Sequence, residues 1–116
     1  MSYFAINSEI KYVKGQDELS KRKTLITSPD NKLQIAEFHD KKGSITRLPD
    51  GPPHRHPQDM ICYLVSGKIR ETIGDESKIL IAGDSWYVPS NIEHESFTIV
   101  DSVMICMFTP AREEYK

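Results

Sequence analysis

The sequence predicts an all-β domain, a sandwich or a barrel, and three observations carry the prediction. Short apolar runs recur along the chain, too brief for helices and rich in the residue types that strands prefer. Clusters of Gly, Pro, Asn, Asp and Ser interrupt them every six to twelve residues, the rhythm of a sandwich or barrel. Only residues 15–23 tempt a helical reading. That stretch is polar and poorly periodic, so a loop or a single turn is expected there.

Taken in order, strands are expected at residues 32–38, 44–48, 60–65, 68–73, 78–82, 85–88, 95–100 and 103–108. The turns between them are Ser28-Pro29-Asp30-Asn31, Lys41-Lys42-Gly43, Pro49-Asp50-Gly51, Ser66-Gly67, Gly74-Asp75, Ala82-Gly83-Asp84, Pro89-Ser90-Asn91 and Asp101-Ser102. Such residues supply positive φ, preset φ, or bond a side chain to the local backbone. Ser66-Gly67 and Gly74-Asp75 are spaced like hairpin tips. Alternation assigns Ile79, Ile81 and Ile99 to the core, with their polar neighbours facing water. Residues 1–31 read as an N-terminal strand-and-loop segment, and 32–116 as the barrel with a C-terminal tail.

At 116 residues the chain is long enough for one core and too short for two. Fifteen Lys and Arg against seventeen Asp and Glu leave a formal charge of −2, without the basic excess of a nucleic-acid binder. No run of apolar residues is long enough to span a bilayer, and the N-terminus lacks the pattern of a secretory signal. Cys62 and Cys106 both sit in apolar runs. Buried free thiols are expected from them, which suits a reducing cytoplasm.

The chemistry concentrates on histidine. His54-Arg55-His56 is followed thirty-eight residues later by His94, and the only other histidine is His39. Two histidines at i and i+2 on an extended backbone point the same way, so the pair can grip one ion and a third imidazole can close the site. Neutral imidazoles suit one divalent ion, Fe, Mn, Ni, Cu or Zn, with geometry deciding among them. Continuing the parity, Met60, Cys62 and Leu64 point with the imidazoles. A thioether is a weak ligand for such ions, so Met60 reads as pocket lining. Gln58 shares the parity and is a possible fourth ligand through its amide oxygen; Asp59 has better ligand chemistry but the wrong parity. His39 reads as a surface residue and Trp86 as packing.

These spaced motifs resemble those of small single-domain cupins, which are double-stranded β-helix, or jelly-roll, barrels. In the family's first motif a Glu follows His-x-His and a Gly follows six residues after it; here Met60 stands at the Glu, and Gly67 keeps its spacing. The second motif is matched by Gly83, Pro89 and His94, with Asn91 at its second Gly and Thr98 at its Asn. The resemblance covers roughly residues 32–108. A closer likeness, in residues 57–67, 83–89 and 108–115, is to the pectin-degradation cupins associated with linearising cyclic unsaturated uronates. In that group His-x-His, a Gln or Glu and the motif-two His hold the metal, while an Asp, a Phe and an Arg serve the substrate. Phe108 and Arg112 match the last two. The Asp position falls on Cys106 and the Gln/Glu position on Met60, which removes a proton-transfer group and an oxygen ligand.

The resemblance implies a metal-dependent enzyme acting on a small carboxylated, sugar-derived molecule, of the isomerase or ring-opening type. Arg112 would clamp the carboxylate, with Arg47 a weaker candidate, and Met60, Cys106 and Phe108 would line the pocket. The general base would be metal-bound hydroxide or a group not yet assigned. Two alternatives stand beside this reading: a non-catalytic small-ligand-binding or sensing module, and a three-His iron dioxygenase. Small cupins also imply a homodimer, with residues 3–13 extending or covering a neighbour's sheet. No nucleic-acid or membrane partner is expected.

Overall fold

A computed structural model describes residues 3–46 and 54–116. Arg47 and the turn expected at Pro49-Asp50-Gly51 lie outside the described residues. The elements are a 3-10 turn at Asn7–Glu9, then β1 (Val13–Lys14), β2 (Ser20–Thr27), β3 (Gln34–Asp40), β4 (Asp59–Ile73), β5 (Glu76–Ile81), β6 (Ser85–Val88) and β7 (His94–Thr109), and a 3-10 turn at Glu113–Tyr115. All pairings are antiparallel, in the order β1-β2-β3-β7-β4-β5, with β6 on the free edge of β4. The protein is an all-β jelly-roll.

Two long strands organise it. β4 and β7 pair along their whole length, from Asp59↔Thr109 to Ile73↔His94. The first half of β4 also carries β6, its second half carries β5, and the second half of β7 carries β3. One ladder therefore contributes to both walls of the barrel. The bend falls where the register shifts, around Ser66, Lys68 and Val103. Such a bulge adds an unpaired residue and turns the strand. In β4 the buried side chains are Met60, Cys62 and Leu64 before the bulge, and Ile69 and Glu71 after it. The inward parity has switched from even to odd. Along β7 it stays even, through His94, Thr98, Ser102, Met104, Cys106 and Phe108.

The bulge explains one departure from expectation. Ser66-Gly67 is not a hairpin tip: the runs at 60–65 and 68–73 are one strand, as are those at 95–100 and 103–108 across Asp101-Ser102. Gly74-Asp75 does form a tip between β4 and β5, with Gly74 at φ 59°. The strand expected at 44–48 is represented among the described residues by a bridge from Ile45 to Phe97.

Two further expectations are corrected. Ile79 and Ile81 are exposed rather than buried, and Ile99 is only half-buried. In the apolar run Ile79-Leu80-Ile81 alternation could not choose a face. The register chose it, by setting Leu80 against buried Ile69 and leaving Ile79 and Ile81 opposite outward Arg70 and Lys68. Residues 20–23, expected as loop, open β2 instead. Polar Ser20, Arg22 and Lys23 mask the strand pattern, but backbone pairing with β3 holds them. Thus β1 and β2, which precede the boundary expected at residue 31, belong to the same sheet as β3.

The core is Ala36 and Phe38 from β3, Met60, Cys62, Leu64 and Ile69 from β4, Trp86 and Val88 from β6, and Met104, Cys106 and Phe108 from β7. Both cysteines are buried and free, directly opposite each other in the β4–β7 register. His39 lies within β3 and is half-buried, bonded to Glu37 at 2.9 Å and edge-on to Tyr12.

The bulge makes a testable demand. A Cβ on Gly67 would lie 2.1 Å from Ser102 Oγ and 2.5 Å from the Asp101 carbonyl oxygen, at φ +96°. Gly83 has a similar φ of +98° but no neighbour within 4 Å. Gly67→Ala should cost about 2 kcal/mol or more, and Gly83→Ala about 1 kcal/mol, measured by urea denaturation. Equal losses would mean that the two walls do not crowd at Gly67.

Candidate metal centre

The extended chain at His54 is bridged to the start of β7 by a His54↔His94 pair, whose backbone link is the His94 N–H donating to the His54 carbonyl at 2.9 Å. The Asn91 N–H likewise donates to the His56 carbonyl at 2.8 Å, and Asn91 takes the left-handed φ of 63° that this turn needs. These links bring the two histidine segments side by side. Ring centroids are 5.1 Å apart for His54 and His56, 5.2 Å for His54 and His94, and 4.8 Å for His56 and His94. One nitrogen from each ring lies within 4.8 Å of the others, so the trio can hold a metal ion.

The hydrogen bonds prepare the rings for that task. His56 Nδ1 lies 3.0 Å from the Gln58 carbonyl oxygen, and His94 Nδ1 lies 3.0 Å from that of Ile92. A carbonyl can only accept, so each Nδ1 carries the proton and each Nε2 keeps a lone pair. The Nε2 of His56 is buried without a hydrogen-bond partner among the described residues, an expensive condition that a bound cation would relieve. The donor set thus fits a divalent ion with nitrogen ligands.

Desolvation, then the Arg112 guanidinium and the neighbouring imidazoles, lower His54 to about 4; desolvation, then Arg112 and His94, do the same for His56. Desolvation also lowers His94, helped by Arg112 and opposed by the bond to Ile92. The three rings are therefore neutral at physiological pH, which is the ligating form.

The imidazoles open on a cavity of about 370 Å³. Met60, Cys106, Phe108 and Arg112 all line it. Phe108 stands edge-on to His56 at 6.0 Å. Arg112 is buried rather than solvated: its Nε donates to Glu114 at 2.7 Å, its Nη1 to the Tyr115 hydroxyl at 3.0 Å, and its guanidinium lies 4.3 Å from the Tyr115 ring centre. Gln34 clamps its backbone, accepting from Arg112 N at 3.0 Å and donating to its carbonyl at 3.3 Å. Gln58 does not line the cavity. Its amide donates to the Ala111 carbonyl at 3.5 Å, and its own carbonyl orients His56. Asp59, of the other parity, faces outward and accepts from the Tyr87 hydroxyl and the Ser90 N–H. Cys62, beside Cys106, has its thiol pushed well up by burial and by its bond to Cys106, which favours an inert wall over a nucleophile.

Sequence spacing does not point to Tyr115, Arg22, Ser96 or Glu71. Tyr115 and Arg22 line the cavity from the tail and from β2, where nothing local signals an inward turn. Glu71 did leave a trace: alternation puts it on one face between Ile69 and Ile73, an odd position for a carboxylate.

The family described as a cupin domain matches residues 45–109. The fold is similar over its whole length to an RmlC-like cupin from Shewanella frigidimarina, with TM-score 0.87 and 23% identity, covering 100% of this chain and 97% of that one. It is similar to KdgF from Halomonas sp., with TM-score 0.86 and 24% identity, covering 100% of both chains. A Bacillus subtilis oxalate decarboxylase OxdC deletion mutant gives TM-score 0.74 and 22% identity over 93% of this chain and 29% of that one. At such identities the likeness is one of fold. No curated protein matches the chain.

The lowered imidazoles set a pH dependence for metal-free protein. Above about 6.5 the rings are neutral in both folded and unfolded chains. Between there and about 4 the unfolded chain binds protons that the native His54 and His56 refuse, so stability falls as pH falls. The urea midpoint of apo protein should decline through this window, and less steeply in His54→Asn/His56→Asn. Identical slopes in the two proteins would contradict the burial of these rings.

Proposed function

As the chain belongs to the cupin domain family, we propose that it is a metal-dependent enzyme acting on a small carboxylated, sugar-derived molecule, opening or isomerising an unsaturated uronate. The observation that carries this reading is the sharing of one cavity by three neutral imidazoles and a buried guanidinium. Cation site and carboxylate clamp side by side match a substrate bearing a carboxylate next to oxygen functions. The sequence likeness to uronate-linearising cupins, in Phe108 and Arg112 above all, supports the same substrate class.

A divalent ion held by His54, His56 and His94 would supply Lewis acidity toward a substrate hydroxyl or carbonyl oxygen. The protein's own part is recognition and exclusion. Arg112, gripped by Gln34 and stacked on Tyr115, would receive the carboxylate as a two-pronged donor, which orients the ring. Phe108 and Met60 would form the dry side of the pocket and keep water from the reacting carbons. Gln58 would complete the ligand set as a fourth donor only by turning its amide away from Ala111. The buried, free thiols fit a cytoplasmic setting.

One observation favours the non-catalytic reading: Cys106 and Met60, where the uronate cupins carry an acid and an oxygen ligand, are plain wall here. Turnover separates the two. Metal-loaded protein should open unsaturated galacturonate, whereas thermal stabilisation by galacturonate without turnover would support a binder; oxygen uptake would point to the three-His dioxygenase.

We also assign a second copy of the chain as partner. Ile35, Ile61, Tyr87 and Met107 form one cross-strand row over β3, β7, β4 and β6. Ile61, Tyr87 and Met107 are each about half exposed. With Leu33 and Ile26 the row borders an apolar groove, a face suited to an isologous contact.

His54→Ala and His94→Ala should each lose metal by elemental analysis while remaining folded. Arg112→Lys should raise KM for the uronate with the metal retained, since an ammonium cannot grip both carboxylate oxygens; an unchanged KM would remove the clamp. Wild type should run as a dimer in light scattering, and Met107→Glu as a monomer. A wild-type monomer would refute the second-copy assignment.

A further inference from the structure

The barrel holds a carboxyl group that this chemistry has not used. Glu71 lies on the second half of β4, opposite Ser96 of β7, and is only 3% exposed. Ser96 Oγ donates to Glu71 Oε1, while Oε2 is buried with no partner among the described residues. Ser96 stands two residues beyond His94 on the same inward face and lines the imidazole cavity. Its backbone is locked: Ser96 N–H donates to Thr46 Oγ1 at 2.7 Å, and Thr46 N–H donates to the Ser96 carbonyl at 3.1 Å. Glu71 shares the inward face of β4 with fully buried Ile69, so it faces the interior and not the outer wall.

We propose that Ser96 and Glu71 form the proton path of the pocket, Ser96 touching the ligand and Glu71 exchanging the proton behind it. The inference rests on the enzymatic reading above and supplies the base that Cys106 cannot. As Ser96 Oγ takes a proton from the ligand's hydroxyl or acidic carbon, its own hydroxyl proton passes to Glu71 Oε1. The ligand loses one proton, Glu71 gains one, and Ser96 is unchanged. The reverse sequence returns the proton to the product.

Three physical points support this over a packing role. A glutamine would fill the same space and bond Ser96 without the cost of a buried acid, so an ionisable group here calls for a use. Burial pushes the carboxyl up to about 8, opposed by the Ser96 bond and aided by Glu95, which suits exchange near neutral pH. The other groups facing it are Glu76 and Lys78 from β5 and Trp86 from β6, around a small cavity behind the carboxyl. Asp40, a buried carboxyl that lines the main cavity itself, accepts from Ser20 and lies opposite Ser102, far along β7 from His94.

The test is Glu71→Gln in the metal-loaded full chain, with unsaturated galacturonate as substrate. Its kcat should fall roughly 10²-fold or more, with KM little changed, and the inflection near pH 8 in the wild-type rate profile should vanish. Ser96→Ala should lose as much, and the double variant no more. Melting temperature should be unchanged or higher in Glu71→Gln. A Glu71→Gln enzyme with wild-type kcat and pH profile overturns the path. Should wild type itself fail to turn over, the enzymatic reading falls and infrared spectroscopy decides. The carboxyl band absent in Glu71→Gln must respond to galacturonate in zinc-loaded wild type and not in Ser96→Ala; a band that stays still in wild type overturns the path.

Discussion

The antiparallel ladder between β4 and β7 is the constraint from which the rest follows. It runs from Asp59↔Thr109 to Ile73↔His94 with register shifts between Leu64 and Ile69, and serves both walls of the barrel. That is possible because the strands shift register around Ser66 and Lys68, with Gly67 pressed against Asp101 and Ser102. No side chain fits between them. The bulge folds the ladder over, so that His94 and Phe108, at opposite ends of one strand, meet around the same cavity. The parity switch in β4 has a second effect. It turns Ile69 and Glu71 inward on the far wall, so hydrophobic filling and buried polarity are set by one local device.

Within that frame the site is an electrostatic arrangement made by desolvation. Three rings held neutral share the pocket with the guanidinium groups of Arg112 and Arg22. Each backbone carbonyl that fixes an Nδ1 proton leaves the opposite nitrogen free to accept a cation. A cation added there raises the positive charge further, and an anionic ligand is then favoured by both partners. Arg112 contributes in two ways: it discourages protonation of the histidines and offers the anion a planar donor. Its position depends on residues remote in sequence, Gln34 of β3 and Tyr115 of the tail.

The interior also divides its polar groups by depth. Asp40, Ser20, Gln16 and Asp17 knit the N-terminal loops to one end of the barrel, while Ser96 lines the imidazole cavity with Glu71 bonded behind it. Most of these groups find partners. Among the described residues, Glu71 Oε2, His56 Nε2, Arg22 Nε and Trp86 Nε1 are the buried side-chain atoms without a hydrogen-bond partner. Unmet buried polarity beside the cavity is the mark of a site built to receive something.

Sequence alone determined the all-β class, the extents of β6 and most of β3, the inward run of Met60, Cys62 and Leu64, and the convergence of His54 and His56. Each of these rests on period-two alternation or on turn chemistry, which act between near neighbours and need no partner strand. Tertiary structure alone decided which face of Ile79-Leu80-Ile81 is buried, that Ser66-Gly67 bends a strand instead of ending it, and that polar residues 20–23 are strand. It also brought Arg112, Tyr115 and Arg22 into one cavity and turned Glu71 toward Ser96. These outcomes depend on register between strands distant in the chain, and register is fixed by the summed packing of the whole sheet rather than by any local run of residues.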